Sequence, residues 1–181
     1  MGSPKPALPY GSTTMVGAIV RSADEAGLSP VIVVTGFHED SVTAAVGGSA
    51  RIAHNQNPER GNVSSLLVGM DAVGDAVGVV LLLADMPGVR VDVIASLLDG
   101  MSASASTAGW VEYRDGRGHP IALSVSSFED VRTLRGSKAL WPFLSSLSID
   151  ETFVVRVDEP IPTDVNTPED YKRAQQQSEQ D

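Results

Sequence analysis

The chain has 181 residues, of which 42% are hydrophobic and 20% charged, and this composition suits one globular domain with a sizeable core. It contains no cysteine, which excludes disulfides, zinc sites built on thiolates and a cysteine nucleophile. The net charge of −10 argues against a nucleic-acid partner, and no apolar run reaches the roughly 20 residues of a membrane span. We therefore expect a cytoplasmic protein with neither nucleic acid nor membrane as a partner.

The sequence predicts strands and helices that alternate along the chain. In order, they are a helix from Thr13 or Thr14 to about Ala26, strand Val31–Thr35, helix Glu39–Val46, strand Arg51–His54, loop Asn55–Asn62, helix Val63–Val73, strand Gly78–Ala84, helix Val91–Leu98, strands Ala108–Tyr113 and Ile121–Ser124 around a glycine-rich turn at Asp115–Gly118, helices Phe128–Leu134 and Ala139–Leu144, strand Phe153–Val157 and a closing helix from Pro168. This alternation predicts a three-layer α/β/α sandwich with a mostly parallel sheet. One domain would span residues 1–174, followed by a polar tail at 175–181.

The run from Gly78 to Ala84 is the most informative stretch of the chain. It is apolar at every position after the glycine, so it predicts a strand buried on both faces, as in a parallel sheet covered by helices. The run ends on Asp85, and Pro87 prevents the strand from continuing. Ligands of open α/β sheets bind outside the carboxyl ends of the strands. Asp85 is therefore a candidate to hold a metal ion or a hydroxyl group; the alternative is a turn aspartate that caps the loop before Pro87.

Six short segments, in their order and spacing along the chain, resemble the motifs of a known protein family. They are Met1–Lys5 with Leu8–Gly11; Pro30–Gly36; Asn57–Pro58 with Gly61, Ser64, Ser65, Leu66 and Gly69; Ala84–Pro87; Gly118–Pro120; and Asp164–Asp170. Together they resemble the nucleotidyltransferases that attach CMP or GMP to the molybdenum cofactor, a MobA-like group within the Rossmann-like NTP transferases. The resemblance implies a nucleotide-diphospho-sugar transferase-like fold, CTP or GTP and the molybdopterin cofactor as substrates, Mg²⁺ as cofactor, and a molybdenum hydroxylase apoenzyme as a further partner.

The sequence departs from this family at its start. The family signature begins with a strand and a glycine-rich loop, L-A-A-G-x-x-x-R, which supply the central strand and the backbone amides that cradle the NTP phosphates. This segment does not precede Met1 here. The expectation is that Met1 corresponds to an internal methionine of the motif and that the true start lies upstream.

The resemblance implies that Lys5 and Asp85 are catalytic. Lys5 would contact the β- and γ-phosphates, where an ammonium group can follow the growing charge; the alternative is a solvated lysine near the terminus. Asp85 would bind Mg²⁺, which takes one or two carboxylates together with phosphate oxygens. Asp164 or Asn166 would supply a second oxygen ligand, unless both belong to an ordinary helix cap with Thr167. The family often has aspartate where this chain has Asn166, so the ligand here carries no charge.

The remaining implied contacts lie in two loops. Ser64 and Ser65 begin a helix whose free N–H groups attract phosphate or base carbonyls, although serines at helix starts are more often simple caps. Asn57, in the same loop, would touch the base or ribose. Gly118 would permit close approach of the acceptor, and His119 would bond its phosphate or pterin unless it is a packed turn residue.

Three functional hypotheses follow from the residues and the resemblance. The first is transfer of CMP or GMP to the molybdenum cofactor, and Gly118–Pro120 favours the cytidylyl branch. The second keeps the reaction but changes the acceptor to a sugar phosphate, phospholactate or phosphoglycerate. The third is a non-catalytic accessory protein that binds the cofactor or a molybdenum hydroxylase.

Overall fold

The structure is a computed structural model that describes residues 4–178. Met1–Ser3, which open the first family-like segment, and Glu179–Asp181, which end the predicted tail, lie outside the described residues. Within this range, no helix is long and apolar enough to cross a membrane.

Helices and strands alternate along the chain, as the sequence predicts. The strands are β1 (Pro9–Tyr10), β2 (Thr13–Thr14), β3 (Ile32–Thr35), β4 (Arg51–His54), β5 (Gly78–Leu81), β6 (Ala108–Tyr113), β7 (Gly116–Ser124) and β8 (Thr152–Val157). The helices are α1 (Met15–Glu25), α2 (Glu39–Val46), α3 (Asn62–Ala72), α4 (Val91–Ser104), α5 (Phe128–Thr133), α6 (Leu140–Ser146) and α7 (Pro168–Ser178). Short 3-10 turns lie at Lys5–Ala7, Pro58–Arg60, Val125–Ser127 and Ile149–Glu151.

The largest sheet has four strands in the order β5-β7-β6-β8. Strand β7 is antiparallel to both β5 and β6, whereas β6 and β8 are parallel. Strands β3 and β4 form a separate parallel pair, and β1 and β2 a short antiparallel pair. The sheet is mixed because only two residues join β6 to β7, and so short a connection forces an antiparallel hairpin.

Helices cover both faces of the sheets, which confirms the predicted three-layer α/β/α architecture. On one face, Trp110 of β6 packs in a core that includes Leu66 of α3 and Leu144 of α6. On the other face, Val111 of β6 packs with Val93 of α4. Successive residues of β6 therefore point to opposite layers, as expected for a strand between two layers of helices.

Several predicted boundaries change. Helix α4 continues to Ser104, and β7 begins at Gly116, inside the predicted glycine-rich turn. Helix α7 continues through the first residues of the predicted polar tail to Ser178, whose hydroxyl donates to the Gln175 carbonyl. The predicted caps are present: Thr14 Oγ1 accepts from the N–H of Gly17 in α1 at 3.1 Å.

The apolar run at residues 78–84 differs most from its prediction. Strand β5 ends at Leu81, because the chain turns at Ala84 and Asp85 and the N–H of Met86 bonds back to the Leu83 carbonyl. No residue from Gly78 to Asp85 is fully buried. The prediction of a strand buried on both faces is wrong here because one edge of β5 borders a cavity of about 510 Å³.

Candidate active site

Asp85 lies in the wall of two neighbouring cavities. The larger cavity, of about 510 Å³, is also lined by Ser65, His119 and Asp164. The smaller cavity, of about 310 Å³, is also lined by Lys5. Asp85 therefore lies at the end of the apolar run, where it lines both cavities.

The loop before α7 is tied to the backbone of Asp85. The N–H of Val165 donates to the Asp85 carbonyl at 2.9 Å, and Val165 is fully buried. This anchor places the exposed side chains of Asp164 and Asn166 beside the end of the apolar run. Residues about 80 positions apart in the sequence thus meet at one point.

Asp85 and Asp164 form a pair of carboxylates. Burial raises the pKa of Asp85 above its ordinary value, and the negative charge of Asp164 raises it further. The positive charge of Lys5 acts in the opposite direction. A bound cation would stabilise this pair, because it offsets the repulsion between the two negative charges.

Lys5 reaches the same loop from the start of the described chain. Its Nζ donates to Oδ1 of Asn166 at 2.7 Å. The structure therefore brings together four of the predicted residues, namely Lys5, Asp85, Asp164 and Asn166. The oxygen of Asn166 that the sequence predicts as a metal ligand thus already accepts one hydrogen bond from Lys5.

The helix cap with Thr167, which is the alternative to a metal-binding role for this loop, is also present. Oδ2 of Asp170 accepts from the N–H and the hydroxyl of Thr167, and Thr167 Oγ1 accepts from the N–H of Asp170. These hydrogen bonds lower the pKa of Asp170 to about 2. Asn166 joins the cap through its backbone N–H, at 3.1 Å from Asp170 Oδ2, which leaves its side chain outside the cap. The cap and a ligand role for Asp164 are therefore compatible.

The loop before α3 is organised by Asn55, a residue that the sequence analysis missed. Asn55 is 3% exposed, and its Nδ2 donates to the hydroxyls of Ser64 and Ser65 at 2.9 and 3.0 Å. Its Oδ1 accepts from the N–H of Asn57 at 2.9 Å. A polar residue directly after strand β4 was the available signal, because the ends of strands are where ligand-binding loops begin.

The three predicted nucleotide contacts in this loop have different surroundings. Ser65 lines the larger cavity. The Ser64 hydroxyl donates to the Gly61 carbonyl at 2.8 Å and so holds the start of α3. The Asn57 side chain is exposed and lines neither of the two cavities. The geometry favours Ser65 for ligand contact and gives Ser64 a role within the loop.

His119, within β7, also lines the larger cavity. Its ring packs edge-on against Trp141 at 6.3 Å between centroids. Burial lowers the pKa of His119 to about 4, although the charge of Asp164 opposes this shift. The imidazole is therefore neutral at pH 7 and presents one donor and one acceptor.

Gly118 is buried against the ring of Tyr113 and does not line either cavity. A Cβ at this position would lie 2.9 Å from Cε2 of Tyr113. The hydroxyl of Tyr113 in turn donates to the His119 carbonyl at 2.7 Å. The glycine therefore allows the tyrosine to fix the backbone of His119, a different contact from the predicted one with the acceptor.

Few side chains at the site could bind a metal ion. Among residues 4–178, no three His, Cys, Asp or Glu side chains cluster closely enough to hold an ion by themselves. Asp85 and Asp164 provide two carboxylates. Such a donor set suits a hard ion whose remaining ligands are water and substrate phosphates.

Comparisons with known proteins agree with this architecture. A profile of the MobA-like NTP transferase domain matches residues 1–157. The crystal structure of Rv0371c from Mycobacterium tuberculosis H37Rv is 32% identical, with a TM-score of 0.86 over 97% of this chain and 90% of that chain. A structure of Rv0371c in complex with manganese is 30% identical, with a TM-score of 0.84 over 97% of this chain and 93% of that chain.

A more distant structure shows the same fold. Molybdopterin-guanine dinucleotide biosynthesis protein A from Archaeoglobus fulgidus is 16% identical, with a TM-score of 0.73 over 99% of this chain and 93% of that chain. At this identity the likeness concerns the fold alone. It confirms the predicted Rossmann-like, nucleotide-diphospho-sugar transferase-like architecture.

Replacement of His119 by glutamine tests whether the buried imidazole is neutral in the folded protein. Between pH 6.5 and about 4 the unfolded chain binds a proton at His119 that the folded chain does not, so the stability of the native protein rises with pH in this window. We expect His119→Gln to flatten the pH dependence of the free energy of unfolding there, measured by urea titration. An unchanged slope would contradict the buried, neutral histidine.

Replacement of Asn55 by alanine tests the loop before α3. The change leaves two serine hydroxyls and the Asn57 N–H without their buried partner, and we expect it to lower the free energy of unfolding by about 1–3 kcal/mol. The matched control is Asn57→Ala, an exposed site where we expect a change within about 0.5 kcal/mol. Equal effects of the two variants in urea titration would refute the organising role of Asn55.

Proposed function

The chain belongs to the MobA-like NTP transferase family, and on that premise we propose that it transfers CMP or GMP from CTP or GTP to the phosphate of the molybdenum cofactor. The observation that carries the proposal is that Asp85 lines two cavities, of which the larger is also lined by Asp164 and the smaller by Lys5. The larger cavity would hold the nucleoside part of the NTP, and the smaller cavity its triphosphate end. The products would be the dinucleotide form of the cofactor and pyrophosphate.

The reaction exchanges one phosphoanhydride bond for another. A phosphate oxygen of the acceptor attacks the α-phosphorus of the NTP, and the bond from that phosphorus to the oxygen bridging to the β-phosphorus breaks. Negative charge grows on the departing pyrophosphate, so positioning and positive charge provide most of the catalysis. Lys5 supplies such a charge if its ammonium group leaves Asn166 for the β- and γ-phosphates.

Asp85 and Asp164 would hold a divalent cation, which we propose to be Mg²⁺. The pair of carboxylates fits such an ion, because the negative charge of Asp164 disfavours the charged form of Asp85. When bound, the ion would neutralise charge on the transferring phosphoryl group. The manganese complex of Rv0371c supports a divalent ion of this class.

The remaining contacts divide between nucleotide and acceptor. Ser65 would contact the nucleotide at the start of α3, where unpaired N–H groups favour an anion or a carbonyl. The neutral imidazole of His119 would hydrogen-bond the acceptor, because His119 and Asp85 line the same cavity. We propose the molybdopterin form as the acceptor, with a molybdenum hydroxylase apoenzyme as the recipient of the product.

Replacement of Asp85 by asparagine tests the proposed chemistry. We expect pyrophosphate release from CTP or GTP with the molybdenum cofactor to fall by at least about 100-fold, since a cation ligand at the reacting centre is lost. The affinity for Mn²⁺, read by electron paramagnetic resonance, should fall by at least about tenfold. The matched control is Asp99→Asn, an exposed carboxylate on α4, which should change neither quantity.

The alternatives give different results in the same assay. Release of pyrophosphate only with a sugar phosphate, phospholactate or phosphoglycerate would keep the reaction and replace the acceptor. Unaltered Mn²⁺ affinity and unaltered turnover in Asp85→Asn would remove this carboxylate from the mechanism. Binding of the cofactor without pyrophosphate release from either NTP would support an accessory protein.

A further inference from the structure

Two short segments carry the carboxylates of the proposed cation site. The first, residues 85–90, begins with Asp85 and ends with Arg90, and the second, residues 159–164, begins with Glu159 and ends with Asp164. Each carboxylate therefore has a charged residue at the other end of its segment, five positions away. Both segments lie outside the helices and strands. Their positions consequently depend on individual contacts rather than on a regular pattern of backbone hydrogen bonds.

The two segments lie alongside each other and run in opposite directions. At one end, the N–H of Val165, the residue after the second segment, donates to the Asp85 carbonyl at 2.9 Å. In the middle, a Cβ on Gly88 would lie 3.8 Å from Cβ of Pro162. The far end of each segment is its charged residue, so an attachment there would hold the two segments together along their whole length.

Arg90 provides this attachment at the far end. Its Nη1 donates to Oε1 of Glu159 at 2.5 Å. Its Nε donates to Oδ1 of Asp92 at 2.9 Å, and its Nη2 donates to the other oxygen of the same carboxylate. The guanidinium is planar, so these two bonds to α4 fix the direction in which Nη1 points. Arg90 and Glu159 are half-exposed, and such a pair adds little to global stability. Its effect is on the relative position of the two segments.

The start of the second segment is also attached to the largest sheet. The N–H of Arg114 donates to the Glu159 carbonyl at 3.0 Å, and the N–H of Ile161 donates to Oδ1 of Asp115 at 2.8 Å. Arg114 and Asp115 form the connection between β6 and β7. The contact with Arg90 therefore holds the first segment against a segment that is itself fixed to the sheet.

Prolines make both segments stiff. The second segment contains Pro160 and Pro162, and the first contains Pro87. Each proline ring fixes φ near −65°, so the position of one end of such a segment constrains the position of the other end.

The proposed function supplies the premise that a divalent cation binds between Asp85 and Asp164. On that premise we propose that Arg90 and Glu159 are positioning residues for the cation site. Their ion pair sets where the Asp164 carboxylate lies relative to that of Asp85, and it thereby sets the affinity for the ion. Neither residue contacts the ion in this account.

The affinity for Mn²⁺, read by electron paramagnetic resonance, tests this role in Glu159→Gln and Arg90→Gln. We expect each substitution to weaken Mn²⁺ binding by about threefold. The direction of the effect in Arg90→Gln is decisive. Loss of a positive charge would by simple electrostatics strengthen the binding of a cation, whereas loss of the attachment weakens it. The double variant should bind Mn²⁺ no more weakly than the single variants, because both break the same contact.

A second readout needs no metal. The Val165 amide bonds to the Asp85 carbonyl, and its hydrogen exchange, followed by nuclear magnetic resonance, should become about threefold faster in both variants. The matched controls are Asp71→Asn and Arg132→Gln. Asp71 and Arg132 form an exposed ion pair at 2.6 Å between α3 and α5. We expect these controls to change neither Mn²⁺ affinity nor Val165 exchange.

Three outcomes would overturn the proposal. The first is unchanged Val165 exchange in both variants, whether or not Mn²⁺ binds. The second is tighter or unchanged Mn²⁺ binding in Arg90→Gln. The third is a double variant whose loss of affinity equals the product of the two single losses, since the residues would then act independently.

Failure of the proposed function gives a different pattern. Mn²⁺ affinity and Val165 exchange that depend on Arg90 and Glu159, without pyrophosphate release by the unsubstituted chain, would refute the transfer reaction and leave the positioning role intact. Pyrophosphate release that depends on Asp85, with both readouts unaltered in Glu159→Gln, would refute the positioning role and leave the reaction intact.

Discussion

The repulsion between the carboxylates of Asp85 and Asp164 is the constraint on which the site depends. The polypeptide holds both groups in place: one follows a strand of the central sheet, and the other lies in a loop bonded to the Asp85 backbone through Val165. Burial of Asp85 makes the repulsion more costly, because water screens it less. A cation relieves this cost, and Lys5, whose positive charge acts on Asp85, lies at a hydrogen-bond distance from the neighbouring Asn166. On the proposed function, a divalent ion bound between the two carboxylates would also attract the triphosphate.

The rest of the fold supports this pair by fixing the loops around it. The hydrogen bonds between Thr167 and Asp170 begin α7 and hold the loop of Asp164 without occupying its carboxylate. Asn55 joins the end of β4 to the start of α3, and Tyr113 holds the backbone of His119. The side chains that line the cavity therefore belong to elements whose own polar groups are already hydrogen-bonded. Such hydrogen bonds preorganise a site before its ligand binds.

Much of this could be predicted from the sequence, and the reasons are local. The strand that leads to Asp85 was visible as an apolar run that stops on a carboxylate, and the Thr14 cap followed from its position before an amphipathic helix. The early start of β7 was missed because Gly116–Gly118 resembles a turn, whereas the strand extends through it after a tight two-residue connection. Asn55 was missed because its role is to bond side chains nine and ten residues later, a relation that only the folded loop reveals. The partial exposure of residues 78–85 also escaped prediction, since it depends on what lies beside the strand in space.

The central claim is that Asp85 and Asp164 form a cation site. It is tested most directly by following the titration of the Asp85 side-chain carboxyl by ¹³C nuclear magnetic resonance, with and without Mg²⁺. The account predicts a pKa above the ordinary value for aspartate in the absence of the ion and a decrease when Mg²⁺ is added. An Asp85 carboxyl that titrates normally in the absence of the ion, or whose pKa does not respond to Mg²⁺, would contradict the account.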